Sequence, residues 1–572
     1  MKDFYLDNYA IWTESELIDA KTREELESIA DNDDELRDRF THPMTFGTSG
    51  MRALMRAGYN GMNVYTVRCA SQGLAETILK SGKEADGIVI AHDSRHNSSD
   101  FARDAAVVFA ANGIKVYYFE DLRPTPQLSF AVRELGCIAG VNITASHNPK
   151  EYNGYKVYWS DGAQVGVAKA DEISDEIIAA DIFDSPKLCD FDEAVSDGRI
   201  VMLDNELDEK YIDCVLAESV AGDYVEKVAD DFKVVYAAFH GAGAKFVPEV
   251  LKRLGIKKVF PVAEQMIPDG DFPTVISPNP ENPQSYDIAI RYAESTKSDM
   301  IIGTDPDSDR CGVAVRTSDG FRLLSGNQAG LLLLDYVLQR LSEEGKLPSN
   351  GVAIRSLVST NLCDKICEVF GIECVEILTG FKYVGEKIKE YEATGEHSFV
   401  FGFEESIGYL KGTYTRDKDA VLAAMLLAEM GCFYKAKGMS VYEGLEALYD
   451  RYGYSCEKSA KMAVAELRVS EIMAAIMNDL RKNLPGELGY KVLGVKDYLG
   501  GLDGFDSSDM LNFSLDKSCT MIIRPSGTEP IIKVYAKAIG STAKEAEDKA
   551  AFTLAETMEL LEARADKVRQ SI

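Results

Sequence analysis

The chain has 572 residues, 46% of them hydrophobic, which exceeds a single hydrophobic core and predicts about three or four domains. Its formal net charge of −31, without a basic stripe, argues against binding to nucleic acid or to anionic membrane surfaces. Eleven scattered cysteines without a CxxC pair, and an N-terminus without an apolar signal-peptide core, favour a reduced protein in the cytoplasm.

The pattern of strands and helices predicts how the chain is divided. Residues 1–40 are strongly charged with a helical pattern, which predicts a solvated N-terminal helical arm. Beyond the arm, strand patterns alternate with helix patterns, and the alternation restarts near Tyr211 and near Gly326. From about Ser455, alternating strand patterns and a long terminal helix replace it. We therefore predict three similar α/β domains, over 1–205 (with the arm), 206–325 and 326–455, and a C-terminal α+β domain over 456–572.

A hydroxyl lies in a cationic stretch at the end of a predicted buried strand. Residues 141–156, VNITASHNPKEYNGYK, predict a tight, exposed loop that presents Ser146 outward. His147 is its neighbour, and Lys150 and Lys156 are close in sequence. Such a loop suits the handling of phosphate, which carries charge and strong acceptors. An ordinary turn, in which Ser146 only caps a helix, is the alternative.

Acidic residues follow another predicted buried strand. In residues 303–310, GTDPDSDR, the alternate residues Asp305, Asp307 and Asp309 project to one side of an extended loop. Hard divalent cations such as Mg²⁺ prefer oxygen ligands arranged in this way. An EF-hand is excluded because Arg310 replaces the required glycine. A solvated acidic turn is the alternative, although ligands in open α/β sheets bind at the carboxyl ends of strands.

Three more loops carry residues suited to a phosphosugar. Residues 402–409, GFEESIGY, offer Glu404 and Ser406 for hydrogen bonds with sugar hydroxyls, with an acidic helix N-terminus as the alternative. Residues 414–419, YTRDKD, read alone as a solvated charged face. Residues 524–530, RPSGTEP, supply an arginine fork, hydroxyls and a glycine for a phosphate, with a hairpin turn as the alternative. Neither a complete Walker A loop nor a G-x-S-x-G elbow occurs, which argues against an NTPase and a serine hydrolase.

Taken in order, these loops resemble those of the α-D-phosphohexomutases, the phosphoglucomutase and phosphomannomutase superfamily. The segment at 46–52, FGTSGMR, resembles the family's N-terminal motif, although Ala53 stands where the family commonly has glycine. Pro306 and Ser308 replace the two glycines of the family's DGDGDR loop. The motifs span 46–530, nearly the whole chain. The resemblance implies four domains around a central cleft, each contributing one loop.

The resemblance also implies roles for individual residues. Ser146 would be carried as a phosphoserine contacted by Arg310 and Lys156, and a cationic site would lower the pKa of a lysine acid or base. Asp305, Asp307, Asp309 and Ser146 would hold Mg²⁺. The implied catalytic residues are Ser146, Lys156, His147, Lys418 and Arg52. The implied substrate contacts are Thr379, Gly380, Glu404, Ser406, Arg416, Lys418, Arg524, Ser526, Gly527 and Thr528.

The implied reaction is reversible phosphoryl transfer between C1 and C6 of a hexose phosphate, through a phosphoserine and a bisphosphosugar. The length, TGFK at 379–382 and GFEESIGY are most similar to the bacterial phosphoglucomutase and phosphopentomutase branch. We therefore expect glucose 1-phosphate and glucose 6-phosphate as substrates, with glucose 1,6-bisphosphate as intermediate and activator. Mannose and pentose phosphates are alternatives within the family. A non-catalytic phosphosugar-binding protein is the alternative of another class.

Overall fold

The computed structural model describes residues 4–47, 50–464, 469–502, 505, 507–526 and 531–569. The chain forms two compact units, each built from two stretches of sequence. The first unit comprises Met1–Ala329 and Phe381–Val441, and the second comprises Gly330–Gly380 and Tyr442–Ile572. None of the helices in the described ranges is long and apolar enough to cross a membrane.

The N-terminal arm consists of three helices, α1 (Phe4–Glu14), α2 (Ala20–Ser28) and α3 (Asp33–Phe40). The prediction of a solvated arm is wrong, because its apolar residues pack on the first α/β domain. Trp12 is fully buried and meets the rings of Phe40 and Tyr65 edge-on, at 6.1 and 5.4 Å between centroids. Buried aromatic pairs of this kind stabilise a contact beyond the area that they bury.

The first α/β domain contains a six-stranded sheet in the order β1-β5-β4-β2-β3-β6. Its strands are β1 (Met51–Leu54), β2 (Ile88–His92), β3 (Val116–Tyr118), β4 (Ala139–Ile143), β5 (Tyr152–Trp159) and β6 (Ile200–Met202), and its helices are α4 (Val64–Ser81), α5 (Ser98–Ala111), α6 (Thr125–Glu134), α7 (Val167–Ala179) and α8 (Phe191–Ser196). Strands β4, β2, β3 and β6 are parallel, and β5 is antiparallel to β4. Every residue of β2 and β4 is buried, as expected for strands covered on both faces.

The second domain has a five-stranded sheet in the order β11-β10-β9-β7-β8. Its elements are α9 (Asn205–Ala217), α10 (Tyr224–Val228), β7 (Lys233–Ala237), α11 (Gly243–Leu254), β8 (Lys258–Pro261), α12 (Asp287–Thr296), β9 (Met300–Thr304), β10 (Cys311–Thr317) and β11 (Gly320–Leu323). Strand β9 runs parallel to β7 and antiparallel to β10, so the acidic loop 305–310 is the turn of a β-hairpin.

The third α/β region contains α13 (Gly326–Glu343), β12 (Gly351–Ser356), α14 (Leu362–Phe370), β13 (Glu373–Ile377), α15 (Lys382–Thr394), β14 (Ser398–Glu404), β15 (Gly408–Leu410), α16 (Ala420–Ala436) and α17 (Val441–Tyr452). Strands β12 and β13 pair in parallel, and β14 and β15 form a hairpin. Helix α16 is apolar almost all round because it is enclosed within the first unit, where it contacts α10, α11, β9 and β10.

The C-terminal domain is built on a six-stranded sheet in the order β16-β21-β20-β19-β18-β17, whose paired strands are antiparallel. Its elements are β16 (Tyr454–Ala463), α18 (Val469–Lys482), β17 (Glu487–Leu488), β18 (Tyr490–Asp497), β19 (Leu511–Leu515), β20 (Cys519–Pro525), β21 (Ile531–Gly540) and α19 (Ala543–Arg569). The predicted fold class, three α/β domains and a different C-terminal domain, is confirmed. The domain boundaries at 205, 325 and 455 stay predictions.

Candidate active site

Ser146 lies in the loop between β4 and β5, where its hydroxyl donates a hydrogen bond to Asp305 Oδ2 at 2.7 Å. Its backbone has a left-handed φ of 52°. The expectation of an exposed hydroxyl is wrong, because the acidic loop of the second domain covers Ser146 and leaves it 1% exposed. The hydroxyl also lies 3.1 Å from His147 Nδ1. Ser146 is therefore buried among polar groups, which excludes a role as a simple helix cap.

The three predicted metal ligands come together at the end of β9. One carboxylate oxygen from each of Asp305, Asp307 and Asp309 lies within 4.8 Å of the other two, and all three residues are buried. Asp307 Oδ1 and Asp309 Oδ1 have no hydrogen-bond partner among the described residues. Buried oxygens without a donor are rare, and oxygen ligands at this spacing fit a hard divalent cation. The alternative of a solvated acidic turn is excluded.

Two lysines face these carboxylates. Lys156, on β5, donates to Asp307 Oδ2 at 2.6 Å and to Asp309 Oδ2 at 2.9 Å, and Lys418 Nζ lies 3.1 Å from Asp309 Oδ2. Burial alone would lower the pKa of Lys156, but the carboxylates of Asp307 and Asp309 outweigh burial and raise it. The pKa of Lys418 is raised in the same way, chiefly by Asp309 and Asp417. The prediction of a lowered lysine pKa is therefore wrong, because carboxylates and not cations are the nearest charges.

The members of the triad differ in how their surroundings shift their pKa values. Burial and the neighbouring Asp307 and Asp309 raise the pKa of Asp305 well above its usual range. Burial opposes ionisation of Asp309 as well, but Lys156, Lys418 and Arg310 outweigh it and hold the pKa of Asp309 well below that range. The neighbouring carboxylates and the surrounding cations therefore shift the pKa values of Asp305 and Asp309 in opposite directions.

Two arginines lie near His147, the neighbour of Ser146. Arg310 Nη1 lies 3.6 Å from Glu281 Oε2, and Arg52 Nη1 donates to Asn148 Oδ1 at 3.5 Å. Burial, Arg310 and Arg52 together hold the pKa of His147 well below its usual range, so its imidazole is neutral. At 3.1 Å, His147 Nδ1 is close enough to exchange a proton with Ser146 Oγ when that hydroxyl turns away from Asp305.

The predicted sugar loop is the turn between β14 and β15, which excludes the alternative of a helix N-terminus. Burial raises the pKa of Glu404 despite the nearby Lys418. The aliphatic part of the Lys418 side chain packs against this turn. A Cβ added to Gly408 would lie only 2.4 Å from Lys418 Cδ. Cys311 N donates to Ile407 O at 3.0 Å, which joins the turn to the base of the acidic loop. Glu404 and Lys418 therefore belong to the same cluster as the triad.

The charged run 414–419 is buried and is not a solvated face. Arg416 pairs with Glu392 and donates to Thr413 O at 2.5 Å, so its guanidinium is already held by groups of the protein. Asp417 accepts from Tyr158 OH at 2.6 Å. A phosphate contact by Arg416 stays a prediction.

The remaining predicted contacts belong to the second unit. Gly380, beside Thr379, has a φ of 123°, a conformation that favours glycine. Arg524 is the penultimate residue of β20, and Ser526 follows the strand. Gly527 and Thr528 lie outside the described residues. The roles of these residues stay predictions.

Two further segments support the acidic loop, and neither was assigned to the site from the sequence. Thr125, at the start of α6, donates from Oγ1 to Asp307 Oδ2 at 2.7 Å and from its amide to Asp307 O at 2.8 Å. The turn HGAG at 240–243 also supports the loop, because a Cβ on Gly241 would lie 2.4 Å from Pro306 Cα. The paired glycines of this turn were the available signal for a close backbone approach.

Comparison with known proteins identifies the family. Models described as phosphoglucomutase/phosphomannomutase α/β/α domains I, II and III match residues 43–182, 209–320 and 325–452. A phosphoglucomutase from Staphylococcus aureus (strain N315) is 34% identical over 526 residues, which cover 88% of this chain and 91% of the relative.

Solved structures agree in fold. A phosphoglucomutase from Paramecium in an open form has a TM-score of 0.68 at 18% identity, covering 92% of this chain and 95% of that one. A putative phosphomannomutase from Thermus thermophilus has a TM-score of 0.66 at 22% identity, covering 91% and 99%. The resemblance noted from the motifs is confirmed: the chain belongs to the α-D-phosphohexomutase superfamily, near the bacterial phosphoglucomutases, and is an isomerase that acts by phosphoryl transfer.

Proposed function

We propose that the chain is a phosphoglucomutase that interconverts glucose 1-phosphate and glucose 6-phosphate through a phosphoserine at Ser146. Glucose 1,6-bisphosphate is the proposed intermediate and activator. The observation that carries the proposal is the 2.7 Å hydrogen bond from the Ser146 hydroxyl to Asp305, inside a cluster of carboxylates and cations. The identity with phosphoglucomutases along most of the chain supports glucose as the sugar.

The proposed cofactor is Mg²⁺, held by Asp305, Asp307, Asp309 and Ser146. The unpartnered buried oxygens of Asp307 and Asp309 support this ligand set. When bound, Mg²⁺ would neutralise charge on the transferred phosphoryl group. Arg310 and Lys156 would contribute the remaining positive charge around the phosphoserine, and Arg52 would keep His147 neutral.

Each half-reaction moves one phosphoryl group between Ser146 Oγ and a sugar oxygen. The P–O bond to one oxygen breaks as the bond to the other forms, and the attacking hydroxyl loses its proton. His147 is placed to take or return the proton of Ser146, because its neutral Nδ1 lies 3.1 Å from Oγ. Lys418, beside Glu404, is the candidate to donate a proton to the sugar oxygen when that oxygen is the leaving atom, because its raised pKa keeps it protonated, and Lys156 is the second candidate.

Sugar recognition is assigned to hydroxyl contacts with Glu404 and Ser406. The other proposed contacts with the sugar phosphate are Thr379, Gly380, Arg416, Lys418, Arg524, Ser526, Gly527 and Thr528. The proposed partners are small sugar phosphates, with neither nucleic acid nor membrane. The eleven cysteines are free thiols, which supports the proposed location in the reducing cytoplasm.

A coupled assay with glucose, mannose and ribose 1-phosphates, joined to mass spectrometry of the phosphopeptide, tests the proposal. We expect turnover fastest with glucose 1-phosphate and a phosphate on Ser146. Ser146→Ala should lose about 10⁴-fold or more in kcat but still bind sugar phosphate. Ser71→Ala, which removes another buried serine hydroxyl of the first domain, is the control.

The outcomes separate the alternatives. Faster turnover of mannose or ribose 1-phosphate would contradict the sugar assignment but not the mutase reaction. Absence of turnover with all three sugars would favour a non-catalytic phosphosugar-binding protein. Full activity of Ser146→Ala would contradict the phosphoserine mechanism itself.

A further inference from the structure

The buried guanidinium of Arg95 donates hydrogen bonds to backbone carbonyls of the loop that carries Ser146, residues 144–152, which we call the serine loop. Arg95, in the segment after β2, is 3% exposed. Its Nη2 donates to Ser146 O at 2.6 Å and Asn148 O at 2.5 Å, and its Nη1 donates to Pro149 O at 2.8 Å and Tyr152 O at 3.0 Å. A guanidinium is planar and has five N–H donors in fixed directions, so it can donate to four carbonyls at once. A lysine ammonium, with three donors on one nitrogen, cannot.

Asp93, the ion-pair partner of Arg95, fixes the backbone amide of Ser146 through Thr144. Asp93 Oδ2 lies 3.2 Å from Arg95 Nε, and both side chains are fully buried. The same oxygen accepts from Thr144 Oγ1 at 2.7 Å, and Thr144 Oγ1 in turn accepts from Ser146 N at 2.8 Å. The amide and the carbonyl of Ser146 are therefore both fixed by one ion pair.

This restraint acts on a strained residue. Ser146 has a φ of 52°, a left-handed conformation that is unfavourable for a residue other than glycine. Such conformations persist when the surrounding contacts over-determine them. In Ser146 the conformation directs Oγ to Asp305 Oδ2. The contacts of Arg95 and Asp93 thus determine where the reactive hydroxyl lies.

The second domain closes over this ion pair. The guanidinium of Arg95 lies over the ring of Phe272, 5.2 Å from its centroid, and Phe272 is 2% exposed. The neighbouring backbone is also in close contact, because a Cβ on Gly270 would lie 2.5 Å from His96 N. Asp271 accepts from Lys150 Nζ at 3.1 Å. Water is thereby kept from the ion pair, which strengthens its electrostatic interaction.

We infer that Arg95 is a positioning residue for phosphoryl transfer: it fixes the backbone of the serine loop so that Ser146 Oγ stays aimed at the metal-ligating carboxylates. Arg95 acts through the loop and touches neither the substrate nor the reacting atoms. The inference rests on the proposed function, because it needs Ser146 to carry the phosphoryl group. A displacement of the reacting oxygen by about 1 Å lowers a rate by about 100-fold.

The test is a comparison of Arg95→Lys with Arg123→Lys. Arg123 is a matched control: it is buried, pairs with Asp208 at 2.9 Å, and lies over Phe119 at 5.3 Å. For Arg95→Lys we expect kcat, and the single-turnover phosphorylation of Ser146 by glucose 1,6-bisphosphate, to fall about 100-fold. The KM for glucose 1-phosphate should stay within twofold. Equal kcat in the two variants, or a change in KM alone, would overturn the inference.

Thr144 gives a second measurement if Arg95→Lys does not fold. Thr144→Val keeps the shape but removes the oxygen that accepts from Ser146 N, and should lower kcat at least tenfold with KM unchanged. Thr144→Ser keeps the hydroxyl and should return most of that loss. If the wild type turns over but Thr144→Val keeps its kcat, only the positioning role is wrong. If the wild type carries no phosphate on Ser146, the proposed function fails and this inference with it.

Discussion

The ammonium of Lys156 contacts the oxygens of two proposed metal ligands, so its removal should have effects that depend on the metal. Lys156 is 2% exposed, and it donates to Asp307 and Asp309 at 2.6 and 2.9 Å. Removing one partner from a buried charge pair costs about 3–5 kcal/mol. We expect Lys156→Met to lower the free energy of unfolding by that amount when Mg²⁺ is removed by EDTA. Without the ammonium that occupies the Asp307 and Asp309 oxygens, the variant should bind Mg²⁺ more tightly than the wild type does. At saturating Mg²⁺, a tenfold tighter Kd would return about 1.4 kcal/mol to the variant, so the loss should shrink.

The assay is urea unfolding with and without Mg²⁺, followed by tryptophan fluorescence. Both tryptophans, Trp12 and Trp159, lie in the first unit, and Trp159 is on the same strand as Lys156. Lys411→Met is the control, because Lys411 pairs with Glu218 at 2.6 Å away from the triad. Its loss should be the same in both conditions. A loss below about 1 kcal/mol for Lys156→Met in EDTA, or an equal loss with Mg²⁺, would refute the reasoning.

Two further predictions concern other parts of the fold. Gly241→Ala would place a Cβ 2.4 Å from Pro306 Cα and displace the acidic loop, so we expect Mg²⁺ affinity by calorimetry to fall at least about tenfold. Gly486→Ala, where a Cβ would meet nothing within 4 Å, should bind Mg²⁺ as the wild type does, and equal affinities of the two variants would contradict the prediction. Burial, with Arg355 nearby, lowers the pKa of Lys537 to about 8 from 10.5. The unfolded chain then binds more protons between pH 8 and 10.5, so the stability of the wild type relative to Lys537→Met should rise by about 3 kcal/mol across that window. Urea unfolding at pH 7.5 and 10.5 measures this difference, and a constant difference would rule it out.

The sequence predicted the chemical groups of the site better than their environment. Ser146 and the three aspartates could be identified because their loops follow apolar strands and carry a distinctive order of residues. Their burial could not be predicted, because Asp305 meets Ser146 across 159 residues of sequence. The raised pKa of Lys156 has the same origin, since its partners Asp307 and Asp309 come from another domain.

The packing of the N-terminal arm could not be predicted from the sequence for the same reason. Its many charges predicted a solvated helix, but Trp12 and Phe40 decide its position because their apolar area outweighs the surrounding charge. Which aromatic side chains meet depends on contacts with residues far along the chain, such as Tyr65. A local pattern does not contain that information.

The enclosure of α16 within the first unit has a consequence for synthesis on the ribosome. Helix α16 begins about 100 residues after β10 ends, and residues 330–380, which belong to the other unit, are made in between. At about 5–20 residues per second, the apolar surfaces of α11, β9 and β10 that α16 covers stay open for roughly 5–20 s. The nascent chain therefore presents a long-lived binding surface for chaperones, and the first unit completes its fold only after Val441 has emerged.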